Sequence, residues 1–117
     1  MKLVIAGSRG LNVTVQEVAL LVAVFERRFD VTVSEIVSGG CRGIDKMGEV
    51  YAEKKGLSLK IFEADWSEGK KAGPLRNKEM AEYGDGLLLI WNGDSRGSAS
   101  MLREAKAKDR LVMEVRY

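Results

Sequence analysis

The sequence contains no histidine, one cysteine and one proline among its 117 residues. Without histidine there is no imidazole general base, no Ser-His-Asp triad and no His-ligated metal. The lone Cys41 can form no disulfide within the chain and cannot build a structural zinc site. No metal and no cofactor is therefore expected, and any catalysis falls to carboxylates, hydroxyls, Lys, Arg or backbone amides. Aromatic residues are scarce, at 7%, and no apolar run approaches the ~20 residues of a membrane span. The opening MKLVIAG enters a strand-like run without the length of a signal peptide, so a cytoplasmic location and no membrane partner are expected. An excess of one charge is lacking too. With 19 basic and 17 acidic residues the net charge is +2, which makes no electrostatic case for nucleic acid.

What is present is an ordinary globular mixture, 45% hydrophobic and 31% charged, at a length that suits one domain over residues 1–117. Five short β-like runs are visible: Lys2–Ala6, Glu35–Ser38, Leu57–Phe62, Gly86–Trp91 and Arg110–Val115. The first and fourth are almost wholly apolar, as central parallel strands buried on both faces should be. Helical patterns lie between them. Val15, Val18, Val22, Phe25 and Phe29 recur at helical spacing, with Asn12 or Thr14 as the cap. Ile44, Met47 and Tyr51 form a second stripe ended by Gly56. Pro74 suits the first position of a third helix reaching Tyr83, and Ser98, Leu102 and Ala105 mark a fourth.

Alternating strands and helices predict one α/β, Rossmann-like domain. Its sheet is mostly parallel, in the order 3-2-1-4-5, with helices on both faces. The stretch Glu63–Gly73 exceeds the usual connection length and has the character of a functional lid. The run ALLVAVF at 19–25 is apolar nearly all round its helix, which predicts a homo-oligomer formed through helix Thr14–Arg28. Cover by a loop is the other reading.

Open α/β sheets bind ligands at the C-terminal ends of their strands, where strand order reverses. Three turns fall on that edge: GSRG at 7–10, SGGCRG at 38–43 and NGDSRGSAS at 92–100. Each carries glycine, a hydroxyl and an arginine. Glycine lets backbone N–H groups approach a ligand, and helix N-termini add free donors and partial positive charge. Together these features form an anion site. Ser38, Ser95 and Ser98 offer hydroxyls. Arg9, Arg42, Arg76 and Arg96 are the available planar cations. Asp45 has two readings, a partner for a ribose hydroxyl or a first-turn acid favouring the helix dipole. Trp66 either stacks on a base or anchors its loop, and Cys41 reads as a small filler. GSRGLN is not G-x-G-x-x-G and no GxxxxGK[ST] occurs, so a conventional NAD domain or P-loop ATPase is not expected.

The motifs IAGSR, IVSGGCRGID, ADW…GKKAGPLRNKEMAEYGDGLLLIW and WNGDSRGS, in this order, resemble the YspA-like branch of the SLOG superfamily, found in bacteria and phages. The resemblance spans nearly the whole chain. It implies a Rossmann-like fold and a nucleotide or nucleotide-derived ligand, either sensed or cleaved at its N-glycosidic bond as in the related LOG phosphoribohydrolases. It also implies an alternative, a DprA-like module binding single-stranded DNA or proteins without enzymatic activity. RNKEMAEYGDGLLLIW places Arg76, followed by Asn77, at the LOG arginine, and WNGDSRGSASM places Gly97 and Ser98 at the Gly-Thr of PGGxGTxxE. The catalytic glutamate position is then Met101, which cannot activate water. A substitute acid would come from Asp45, Asp65, Glu79 or Asp94, of which Asp45 is favoured because it adjoins the glycine-rich turn. The expected site comprises Gly7, Ser8 and Arg9; Ser38, Gly39, Gly40, Arg42, Gly43 and Asp45; Arg76 and Asn77; and Gly93, Ser95, Gly97 and Ser98. Asp45 and Arg76 are its catalytic candidates.

Overall fold

A computed structural model describes residues 1–117. The chain runs β1 (Lys2–Gly7), α1 (Val15–Phe29), β2 (Glu35–Ser38), α2 (Ile44–Lys55), β3 (Ser58–Ile61), a 3-10 helix (Trp66–Lys71), α3 (Ala72–Tyr83), β4 (Gly86–Trp91), α4 (Arg96–Ala107) and β5 (Leu111–Arg116). All neighbouring strands pair in parallel, in the order β3-β2-β1-β4-β5. This is the single α/β domain and the strand order read from the sequence.

The period-two alternation of the central strands divides the core. Leu3 and Ile5 of β1 and Leu88 and Ile90 of β4 point to one face, where Val18, Val22 and Phe25 of α1 and Ile44 and Tyr51 of α2 cover them. Val4, Ala6, Leu87, Leu89 and Trp91 point to the other face, under Met80 and Ala81 of α3 and Met101 and Ala105 of α4. Trp91, at the end of β4, belongs to this second core and donates from Nε1 to Glu114 Oε2 at 2.7 Å.

Thr14, not Asn12, caps α1. Its hydroxyl accepts from Glu17 N–H at 3.1 Å while Thr14 N–H donates to Glu17 Oε1 at 3.2 Å, a reciprocal capping box. Beyond its buried stripe α1 leaves Leu20 66% and Val24 39% exposed. They form the outward apolar face behind the expectation of self-association. Two differences from the sequence reading concern one region. Helix α3 begins at Ala72, two residues before Pro74. A proline fits there because the first four N–H groups of a helix lack intrahelical acceptors. The stretch Glu63–Gly73 is also not wholly irregular. Asp65 Oδ1 accepts from Ser67 N–H at 3.1 Å and starts the 3-10 turn, a local polar device that leaves no hydrophobic periodicity to detect. No helix is long and apolar enough to cross a membrane.

Candidate functional site

Strand order reverses beside β1. The chain passes from β1 to β2 and β3 on one side and returns to β4 and β5 on the other. At the C-terminal ends of β1 and β4 a cleft of about 410 Å³ opens. Ala6 to Gly10 line it from the first turn, Cys41 and Asp45 from the second turn and the start of α2. Arg76, Asn77 and Met80 line it from α3, and Asn92, Asp94, Ser95, Gly97, Ser98 and Met101 from the third turn and α4.

Close backbone approach builds this cleft. A Cβ on Gly7 would lie 1.8 Å from the Ile90 carbonyl oxygen, so β1 can leave the sheet there only without a side chain. Ser8 N–H then donates to that same oxygen at 3.2 Å. Asn92 N–H donates to Ser8 Oγ at 3.3 Å, and Asp94 N–H donates to Asn92 Oδ1 at 2.9 Å, which ties the first and third turns together. Gly43, with φ of +82°, brings the start of α2 against the Ser8 and Arg9 carbonyls, 2.6 Å from where its Cβ would meet the latter.

Two buried polar side chains face the cleft with bonding capacity left over. Arg76 is 9% exposed. Its Nε donates to Asn77 Oδ1 at 3.0 Å and its Nη1 to the Gly39 carbonyl at 2.7 Å. Its Nη2 reaches only Cys41 Sγ, at 3.9 Å. No carboxylate lies within 4.0 Å of this guanidinium; the ion pairs of the protein are Lys46–Glu49, Lys108–Glu82 and Arg116–Glu114. A guanidinium has five N–H donors, so Arg76 keeps donors for an incoming acceptor. Asn77 Nδ2 bonds the Gly97 carbonyl and Ser100 Oγ, both at 3.2 Å, and so joins α3 to the start of α4. There Ser95 Oγ caps α4, accepting from Ser98 N–H at 3.2 Å. Ser98 itself is 4% exposed, and its hydroxyl has no hydrogen-bond partner.

Asp45 is the buried carboxylate of the site. Oδ2 accepts from Cys41 N–H at 3.3 Å. A Cβ on Gly39 would lie 2.9 Å from both Asp45 Oδ2 and Arg76 Nη1, so the two charged groups flank one glycine. Burial pushes the Asp45 carboxyl up from 3.8 to about 6, against the pull of Cys41 N–H and Arg76 and helped by Glu49 nearby. The folded chain therefore holds this proton more tightly than the unfolded chain. Its contribution to stability is complete below 3.8 and is lost as pH rises through about 6. Ionised Asp45 then costs roughly 3 kcal/mol relative to acid pH. Asp45→Asn is expected to match the wild type near pH 4 and to be more stable at pH 7.5, by up to about 3 kcal/mol. Urea melts at the two pH values measure this, and a difference that does not change with pH would refute it.

The other expected residues are placed as follows. Ser38 is fully buried outside the cleft, donating to Glu49 Oε2 at 2.7 Å and accepting from Gly40 N–H at 3.1 Å, so it organises the second turn. Gly39 lies behind Arg76 as its carbonyl acceptor. Gly40, Arg42 and Trp66 line an adjoining groove together with Arg9 and Cys41. Gly93 turns the backbone at φ +86° under Arg116, outside the cleft. Arg96, Lys70 and Lys71 are exposed and line neither hollow. Of the candidate acids the cleft takes Asp45 and Asp94, while Asp65 caps the 3-10 turn and Glu79 is exposed elsewhere. Met101 is buried and lines the cleft together with Met80. Ala6, Gly10, Met80 and Asn92 were not read from the sequence. Met80 follows Arg76 by four residues on one helix and was open to detection on that ground. Cys41, read as filler, lies between guanidiniums, with Arg9 Nη2 at 3.7 Å and Arg76 Nη2 at 3.9 Å. No cluster of three or more acidic or thiol side chains is placed to hold a metal ion.

No protein-family model matches the chain. The gene 61 protein of Mycobacterium phage D29 is 37% identical over an alignment 78 residues long that covers 61% of this chain and 62% of that protein. The chain thus spans less than two thirds of that relative's length. Among solved structures, DNA processing protein A (DprA) from Streptococcus pneumoniae superposes with a TM-score of 0.68 at 19% identity, over 97% of this chain and 49% of DprA. The fold of this chain is therefore the Rossmann-like α/β fold also found in DprA, carried in a chain that matches about half of that protein.

Proposed function

We propose that this is a nucleotide-binding protein of the YspA-like branch, which holds a ligand phosphate in the cleft between Arg76 and the start of α4. One observation carries the reading. The Ser98 hydroxyl, buried and unpartnered, and the Arg76 guanidinium, buried with no carboxylate within 4.0 Å, line the same cleft at a helix N-terminus. Each is costly to bury unsatisfied, and one anion satisfies both. Arg9 adds charge at the mouth, and Asp45 serves a sugar hydroxyl.

Hydrolysis is the finer question within this reading. With Met101 at the glutamate position, a glycosidic cleavage would fall to Asp45, whose carboxyl at about 6 suits proton transfer near neutral pH. DNA binding is the second reading, favoured by the likeness to a protein named for DNA processing.

Thermal denaturation against nucleoside monophosphates, NAD, ADP-ribose, cyclic nucleotides and short single-stranded DNA separates these readings. A nucleotide at about 100 times its Kd is expected to add roughly 2.7 kcal/mol of stability. Gly97→Val is the informative variant, because a Cβ at Gly97 meets no atom within 4 Å and the fold admits it. Gly40→Val is not, since φ of +74° strains any side chain there. The variant is expected to fold and to lose the ligand shift. A wild-type protein that no nucleotide stabilises would overturn the proposal, and stabilisation by DNA alone would establish the second reading.

A further inference from the structure

Beside the cleft lies a second, shallower groove of about 650 Å³, lined by Arg9, Gly40, Cys41, Arg42 and Trp66. Arg9 and Cys41 belong to both hollows, so the two are continuous. The groove has an unusual wall for a protein surface. Trp66 is 59% exposed, whereas Trp91 is buried with its indole N–H bonded. Nothing accepts from the Trp66 indole N–H. One edge of the ring lies against the start of α3. The short helix of Trp66 is started by Asp65, and a Cβ on Gly73 of α3 would touch the ring edge at 3.6 Å. Arg9 and Arg42, the charged residues of the groove, have no carboxylate within 4.0 Å. An exposed flat π-face beside two unpaired guanidiniums matches an aromatic base joined to an anion.

We propose that the groove holds a second base-bearing unit of the ligand, so that the protein takes a dinucleotide. One phosphate occupies the cleft at Arg76 and Ser98, the linkage crosses Arg9, and the second base stacks on Trp66 with Arg42 beside it. The inference rests on the phosphate site proposed above. It adds that one nucleotide fills only part of the binding surface. The same chemistry, two bases joined through phosphate, occurs in free pyrophosphate-linked dinucleotides and in a nucleic acid strand.

Calorimetric titration of the whole chain distinguishes these. The probes are adenosine 5′-monophosphate, diadenosine 5′,5′-diphosphate, the 5′-phosphorylated 3′–5′ dinucleotide pApA and a twelve-residue oligoadenylate. One of the two-base probes is expected to bind about ten to a hundred times more tightly than the mononucleotide, the range of one base–aromatic stack. Trp66→Ala is expected to remove that advantage and leave mononucleotide affinity unchanged, while Trp66→Tyr, which keeps a stacking face, retains most of it. Preference for the pyrophosphate linkage identifies a free dinucleotide, and preference for pApA with a further gain for the oligomer identifies a strand. Equal affinity for one-base and two-base probes would overturn this inference while leaving the phosphate site standing. Absence of binding by every probe would remove both. Because Trp66 is mostly exposed, its alanine variant is expected to melt as the wild type does. Should it not, Arg42→Ala, at an exposed side chain, replaces it in the same comparison.

Discussion

Gly7→Ala is expected to leave little or no folded protein. The added Cβ would sit 1.8 Å from the Ile90 carbonyl oxygen and 2.8 Å from Ile44 Cγ1. Neither neighbour can yield. Ile90 is in the middle of the sheet, paired with Gly7 across β1 and β4 and with Val115 across β4 and β5. Ile44 is fully buried at the start of α2. Relief requires parting β1 from β4, which are the two central strands and carry much of the core. We expect a loss above about 4 kcal/mol, a large share of the stability of a small domain. Gly10→Ala is the control, because a Cβ there meets nothing within 4 Å, and its urea midpoint is expected within about 0.5 kcal/mol of wild type. A folded Gly7→Ala protein melting with the control would show that the two strands do not approach as described.

Arg76→Met is expected to abolish nucleotide binding with the fold retained. Methionine has similar length, and Met80 and Met101 already line the same cleft. The substitution removes a buried cation, whose desolvation was unfavourable, but it also strips the Gly39 carbonyl and Asn77 Oδ1 of their donor. These effects oppose each other, so stability is expected to change by no more than about 2 kcal/mol. Binding has no such compensation. Losing a buried, charge-assisted contact to phosphate is expected to weaken the nucleotide at least about a hundredfold. Arg76→Lys keeps the charge without the planar fork, and an intermediate loss is expected. A further readout ties this residue to Asp45. Arg76 lowers the Asp45 carboxyl value, so its removal is expected to move the Asp45 titration, followed by NMR, upward from about 6. Unchanged nucleotide affinity in Arg76→Met would mean that the phosphate is held elsewhere.

Much of the fold was legible because the signals for it are local. The nearly continuous apolar runs of β1 and β4 identify central parallel strands, and their alternation with helical stripes implies right-handed crossovers. Helix α2 ends at Gly56, as expected from a glycine after the last periodic residue. The start of α3 was misjudged because proline is tolerated at several positions of a first turn. The 3-10 turn after Asp65 was missed because a short polar device has no period. For the cleft, glycine-rich turns at strand ends identified the sheet edge at which it opens. They did not distinguish residues that line the cleft from those that hold the turns together. Ser38, Gly39 and Gly43 read like Ser98 and Gly97 in the sequence, yet they build the wall behind Arg76 and the start of α2.

The sequence by itself therefore determined the alternation of strands and helices, the central character of β1 and β4 and the edge on which three turns converge, since hydrophobic periodicity and glycine placement are written residue by residue. Only the tertiary structure decided that Arg76 has no carboxylate within 4.0 Å, that Ser98 lacks a partner, and that Asp45 is buried enough to rise to about 6. It also separated the cleft from the groove of Arg42 and Trp66. The reason is physical. Whether a polar group is satisfied, and how far its charge is desolvated, depends on neighbours tens of residues away, which only the packed sheet brings within hydrogen-bond reach.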